Sequence, residues 1–129
     1  MAKDSPKMHV LIVDDEALIR WSIGETLAHA GYEVSEAGSA KETLQRLSAA
    51  PVPDVILLDY RLPDSTDLKL LETIRRVVPK SPVVMMTAYA TPAMQAGALE
   101  LGVYRVVGKP VELHDLLPLV QQAYASRPQ

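Results

Sequence analysis

Short apolar runs alternate with longer amphipathic stretches along the sequence, and this alternation constrains the fold more than any single residue does. Met8–Val13 is apolar but for His9, and Val55–Leu58, Val83–Met86 and Val103–Val107 are further runs of strand length. Tyr32–Glu36 alternates in the manner of a strand. Between them lie stretches with helical spacing. Glu16–Ala30 carries Ile19, Ile23, Leu27 and Ala30 on one face, with Gly31 placed to end the helix. Ser39 and Glu42 form a capping-box pattern before a helix that points Ala40, Leu44 and Leu47 inward. Ser65 or Thr66 is placed to cap a helix reaching Val78, with Leu68, Leu71, Ile74 and Val78 inward. Thr91-Pro92 opens a helix that ends near Gly102. Glu112–Ala125 reads as a last helix, which Pro118 should kink or rob of a hydrogen bond.

Five strands alternating with five helices imply an α/β fold, a doubly wound parallel sheet whose right-handed crossovers place helices on two faces. The 129 residues suit one domain. Residues 1–7 read as a loose leader, 8–125 as the domain, and 126–129 as a tail or the start of a linker. A 48% hydrophobic, 22% charged composition is that of an ordinary globular chain. The formal net charge of -3 argues against direct nucleic-acid binding through bulk positive charge. The absence of cysteine excludes disulfides and thiolate metal sites. No run has the length of a membrane span, and no secretory signal is evident, so the expected location is cytoplasmic.

Four of the apolar runs stop at polar, reactive residues. The first stops at Asp14-Asp15-Glu16, the third at Asp59, the fourth at Thr87, and the fifth, after Gly108, at Lys109-Pro110. Strand C-termini of an open parallel sheet share one edge, where ligands bind at the point of strand-order reversal. Asp14, Asp15, Asp59, Thr87 and Lys109 should therefore converge. Two carboxylates about 4 Å apart repel by roughly 4 kcal/mol at an effective dielectric near 20. Either one stays protonated or a cation sits among them. Oxygen ligands without cysteine favour a hard divalent ion, and Mg2+ suits a few carboxylates plus exchangeable waters. An ammonium, a hydroxyl and a hard cation beside a carboxylate make a constellation for phosphoryl transfer, with the carboxylate as nucleophile.

The segments VLIVDDE (residues 10–16), DVILLDYRLP (54–63), PVVMMTAYA (82–90) and VVGKP (106–110) closely resemble the response-regulator receiver domain of two-component signalling. The resemblance runs from about Met8 to Tyr124. It implies a flavodoxin-like fold with sheet order 2-1-3-4-5. It implies that Asp59 is the phosphoacceptor, served by Thr87 as switch hydroxyl and by Lys109 as the phosphate-pairing lysine. Mg2+ would be held by Asp15, Asp59 and the backbone carbonyl of Arg61, with Asp14 acting largely through a bound water. Pro110 would follow a cis peptide bond. The implied partner is a sensor histidine kinase or a histidine phosphotransfer protein. An output domain or downstream protein would read the change, as would a phosphorylation-dependent homodimer. The reading surface would be made by the fourth and fifth strands and helices, with Met94, Leu101 and Tyr104 as contacts.

Two positions depart from the family pattern. Val106 stands where an aromatic switch residue is usual, with Tyr104 the nearest aromatic, and Asp67 stands where glycine is usual. Arg61 and Tyr89, each two residues beyond a site residue, should flank the phosphoryl group and slow its hydrolysis. Trp21 lies off the apolar face of its helix and reads either as a surface side chain or as a kinase contact. His9, His29 and His114 show no metal spacing and read as structural. Two other functions fit parts of the pattern. A Mg2+-dependent phosphohydrolase would need an acid where Arg61 stands, and turnover of a small phosphate ester would reveal it. A degenerate receiver that only binds partners would fail to take Mg2+ or phosphate.

Overall fold

A computed structural model describes residues 7–127; residues 1–6 of the expected leader and 128–129 of the expected tail lie outside the described part. The elements run β1 His9–Val13, α1 Ala17–His29, β2 Glu33–Ala37, α2 Ala40–Leu47, β3 Val55–Asp59, α3 Lys69–Val77, β4 Val83–Thr87, α4 Pro92–Glu100, β5 Arg105–Gly108 and α5 Leu113–Ala125. All strand pairs are parallel, in the order β2-β1-β3-β4-β5. The fold class and strand order are those expected.

The strands β1, β3 and β4 are buried throughout, as interior strands of a sheet covered on both faces must be. Alternate residues feed two cores. Leu11, Val13, Ile56, Leu58, Val83 and Met85 pack under α2, α3 and α4, with Leu47, Leu71, Ile74 and Ala98. Val10, Ile12, Val55, Leu57, Val84 and Met86 pack under α1 and α5, with Ile23, Leu27, Leu116 and Val120.

Local chemistry sets most boundaries. The helices α1 and α4 end alike. Gly31 and Gly102 take φ of +94° and +93°, a left-handed conformation that glycine adopts without a Cβ penalty. Tyr32 N–H then donates to Leu27 O at 3.2 Å, and Val103 N–H to Ala98 O at 3.1 Å, closing the last carbonyls of each helix. Thr91 Oγ1 accepts from Met94 N, and Pro92 takes the first helical position. Ser39 Oγ accepts from Glu42 N, as the capping box requires. The Glu42 carboxylate, however, reaches Gly38 N at 2.6 Å, one residue before the cap.

Three expectations need correction. The helix α3 starts at Lys69, without Ser65 or Thr66 as its cap. Ser65 instead bridges to Leu62, and Asp67 accepts from Lys69 N at 2.9 Å just before the helix. On α2 Thr43 is buried along with the expected Leu47, whereas Leu44 is exposed. Thr43 tolerates burial because its hydroxyl donates to Ser39 O at 2.8 Å. Met94 is buried against the core and offers no surface contact. Pro118 lies inside α5 and costs it an internal hydrogen bond, as expected; it stands on the exposed face, where water can serve the carbonyl it leaves free. The Lys109–Pro110 bond is cis as expected, and Ala50–Pro51 is cis as well.

Candidate functional site

The strand order reverses between β1 and β3, and the candidate residues meet there. Asp14 follows β1 and is wholly buried; its own N–H donates to Ala37 O on the neighbouring strand at 3.1 Å. Its Oδ1 accepts from Glu16 N at 2.9 Å, so Asp14 also shapes the entry into α1. Asp59 ends β3 and is 5% exposed, and its Oδ1 accepts from Arg61 N at 3.1 Å. Lys109 is delivered from β5, because β4 and β5 pair Thr87 with Gly108 and Lys109 N–H donates to Thr87 O at 2.8 Å. Its ammonium reaches both Asp14 Oδ2 and Asp59 Oδ2 at 3.0 Å, with Glu16 Oε1 at 3.7 Å.

The Asp14, Asp15 and Asp59 carboxylates each offer an oxygen within 4.8 Å of the others, forming the cluster of potential metal ligands found among the described residues. The histidines lie outside it. His9 bonds Ser35 Oγ through Nε2 at 2.6 Å, and His114 stands exposed beside Asp115. A cleft of about 420 Å³ opens above the cluster, lined by Asp15, Glu16, Asp59, Arg61, Thr87 and Lys109 among others. Thr87 is buried, and its hydroxyl accepts from Tyr89 N at 3.1 Å. Arg61 lies 5.8 Å from the Tyr89 ring centroid, a cation–π contact at the cleft rim. Tyr89 itself is 73% exposed and does not line the cleft, so of the two expected flanking groups only Arg61 does.

The site carries more negative charge than Lys109 alone balances. Burial pushes the Asp59 carboxyl above its ordinary value, against the lowering effect of the Lys109 and Arg61 hydrogen bonds; the nearby Asp14 charge adds to the rise. Burial works against the Lys109 ammonium, but its hydrogen bonds to Asp14 and Asp59 outweigh that and raise its pKa. One monovalent ammonium thus serves two buried carboxylates while Asp15 stands exposed beside them. A set of hard oxygen donors, over-supplied with negative charge and open to a cleft, fits a hydrated divalent cation.

Three contributors had no place in the expected site. Glu16 lines the cleft near Lys109, and the acidic run Asp14-Asp15-Glu16 was its signal. Arg20 Nη1 donates to the backbone carbonyl of Asp14 at 2.5 Å. Asp64, in the loop after β3, accepts from Ala40 N at 2.7 Å and Lys41 N at 3.1 Å, tying that loop to the start of α2. Neither Arg20 nor Asp64 carries a sequence signal, since their partners lie elsewhere in the chain.

A doubly wound parallel sheet with an acidic triad, a hydroxyl and a lysine at its switch point is the arrangement of a receiver domain. The family model described as response regulator receiver domain matches residues 10–121, and the chain belongs to that family. It is similar to the regulatory protein AtoC of Escherichia coli, 37% identical over 114 residues, which are 88% of this chain and 24% of AtoC. It is also similar to the DNA-binding transcriptional regulator NtrC of Escherichia coli, 34% identical over 114 residues, with the same coverage. The chain therefore spans about a quarter of the length of these curated relatives. Among solved structures, the CheY-like response regulator receiver domain protein of Methanospirillum hungatei superposes with a TM-score of 0.88 at 31% identity, covering 93% of this chain and 95% of that one. The receiver domain of NtrX from Brucella abortus gives 0.81 at 28% identity, covering 91% and 98%. Among the described residues no helix is long and apolar enough to cross a membrane.

Proposed function

We propose that the chain accepts a phosphoryl group on Asp59 from the phosphohistidine of a sensor histidine kinase or histidine phosphotransfer protein. The observation that carries this reading is the Lys109 ammonium at 3.0 Å from both Asp14 and Asp59, beside a third carboxylate. An Asp59 oxygen attacks phosphorus, the P–N bond breaks, and the imidazole leaves with its electron pair and takes up a proton. Asp15, Asp59 and the Arg61 carbonyl would hold Mg2+ directly, and Asp14 through water. Mg2+, when bound, supplies charge neutralisation at the phosphoryl oxygens.

The protein's own groups do the rest. Lys109 is placed to pair with the phosphoryl oxygens once Asp59 becomes an ester-like acyl phosphate and loses its own negative charge. The Thr87 hydroxyl, now accepting from Tyr89 N, can turn to donate to the same oxygens. That exchange biases a pre-existing two-state equilibrium, and the surface around α4, β5 and α5 reports it to an output domain or downstream protein, or to a second copy. Trp21, 56% exposed on α1, is read as a contact for the phosphodonor.

A small phosphodonor such as acetyl phosphate tests the reading. Intact-mass measurement should show one phosphoryl group gained with Mg2+, none with a chelator, and none for Asp59→Asn in either case. Phosphorylation that persists in Asp59→Asn would place the acceptor elsewhere. Sustained turnover of a small phosphate ester would favour a phosphohydrolase.

A further inference from the structure

Arg20 lies outside the cleft, yet it connects three elements behind it. From α1 its Nη1 donates to the carbonyl of Asp14 at 2.5 Å, while its Nε donates to Glu36 Oε1 on β2 at 2.9 Å. The side chain is only 20% exposed, so this is a packed contact and not a solvated one. The bond falls on the peptide that joins the two acidic residues after β1. Among the described residues the exposed Asp15 carboxylate makes no hydrogen bond of its own, so the backbone that carries it fixes where its Cα and Cβ stand in the acidic cluster. Gly38 accommodates the guanidinium: a Cβ built there would lie 3.0 Å from Nη1. Glu42 holds Gly38 in place through its N–H at 2.6 Å.

We propose that Arg20 is a positioning residue for the divalent-cation site. By clamping the Asp14–Asp15 peptide it presents the Asp15 carboxylate beside Asp14 and Asp59, and Glu36 holds the guanidinium in the orientation that does this. The inference rests on the metal site proposed above. Groups that orient metal ligands without touching the ion typically change affinity by 10–100-fold when removed. A side chain that merely fastened α1 to the sheet would lower thermal stability and leave metal affinity alone.

Calorimetric titration of the full chain with Mg2+, with no phosphodonor present, separates these roles. Arg20→Ala should bind Mg2+ at least about 10-fold more weakly than wild type. Its maximum rate of phosphorylation by acetyl phosphate should return when Mg2+ is raised to saturation, since the nucleophile is untouched. Arg20→Lys can reach only one of the two partners with its point charge and should restore part of the affinity. Glu36→Gln keeps an acceptor for Nε and should bind nearly as wild type does. Equal affinity in wild type and Arg20→Ala, with only the melting temperature lowered, would overturn the inference while leaving the metal site intact. If Arg20→Ala does not fold, Arg20→Lys decides: affinity equal to wild type overturns the inference, and reduced affinity at full folding supports it. A wild-type chain that takes no Mg2+ overturns the metal site itself.

Discussion

Replacing Asp59 by asparagine should stabilise the metal-free protein even as it abolishes phosphorylation. Asp59 is 5% exposed, and taking a carboxylate out of water costs several kcal/mol. Asp14, with an oxygen within 4.8 Å, adds about 3 kcal/mol of repulsion at an effective dielectric of 20. The Lys109 ammonium at 3.0 Å returns about 5 kcal/mol on the same scale, but it serves Asp14 at the same distance. The balance favours the neutral side chain, which is why burial leaves the Asp59 pKa raised. Asparagine keeps the shape, removes the charge and leaves Lys109 paired with Asp14. The expected gain is on the order of 1 kcal/mol, or roughly 3–6 °C in melting temperature for a domain this size.

The pH dependence gives the sharper test. Between the unfolded value of 3.8 and the raised folded value, the native state binds more protons than the unfolded one. Wild-type stability contributed by Asp59 therefore falls as pH rises through that window, and the deficit is complete above it. The advantage of Asp59→Asn should be full at pH 7 in the presence of chelator and should shrink towards nothing near pH 4. Added Mg2+ should stabilise wild type more than the variant and erode the difference at pH 7. Thermal unfolding followed by circular dichroism measures all three. A variant that melts at or below wild type in chelator at pH 7, or an advantage that persists undiminished at pH 4, would refute the reasoning.

Asp64→Ala should remove the carboxylate that receives the first N–H groups of α2 and cost about 0.5–1 kcal/mol, modest because the site is exposed. Those N–H bonds hold the Asp64 carboxyl below its ordinary value, so the wild-type advantage should be present above about pH 4 and fade as acid protonates it, which urea unfolding at several pH values measures. Gly97→Ala would usually stabilise a helix, yet a Cβ there would sit 2.8 Å from Leu68 Cδ1. The unfolding free energy should therefore gain less than the ordinary ~1 kcal/mol of a glycine-to-alanine change, as thermal melting measures, and the loop after β3 should exchange its amide hydrogens faster. Replacing Arg61, which lines the cleft, and its cation–π partner Tyr89 together by alanine should shorten the phosphoryl lifetime after donor removal; an unchanged lifetime means these side chains do not obstruct water.

The legible parts of this chain are those whose cause is local or periodic. Apolar runs with a polar stop told where strands end, and parallel strands share an edge, so the convergence of Asp14, Asp59, Thr87 and Lys109 followed from order along the chain. Caps with a side chain at fixed spacing, at Ser39 and Thr91, were equally plain. The start of α3 was not, because Ser65 had a competing partner in Leu62 across a tight turn. Periodicity also misplaced the inner face of α2, where a short helix turns Thr43 inward and the hydroxyl finds its acceptor one turn back. Arg20 and Asp64 were invisible for a different reason: their acceptors and donors lie in other elements, and no spacing rule reports a contact made only by the folded chain.

The same distinction explains why the chemistry of the site is plainer than its output. In the family, an aromatic side chain three positions before the lysine commonly follows the threonine as it moves. Here that position is Val106, packed against the core beneath α2, α3 and α4. The neighbouring ring, Tyr104, packs instead against the α1 and α5 side and lies under Arg105 at 5.3 Å. Among the described residues, therefore, no ring of β5 stands on its α4 side. The loop after Asp59 meets α4 by another route, through Leu68 against the bare backbone of Gly97. It is tied on its opposite side to α2 through Asp64. The loop that follows Asp59 is thus braced between two helices, at Leu68 against Gly97 of α4 and at Asp64 against the first N–H groups of α2.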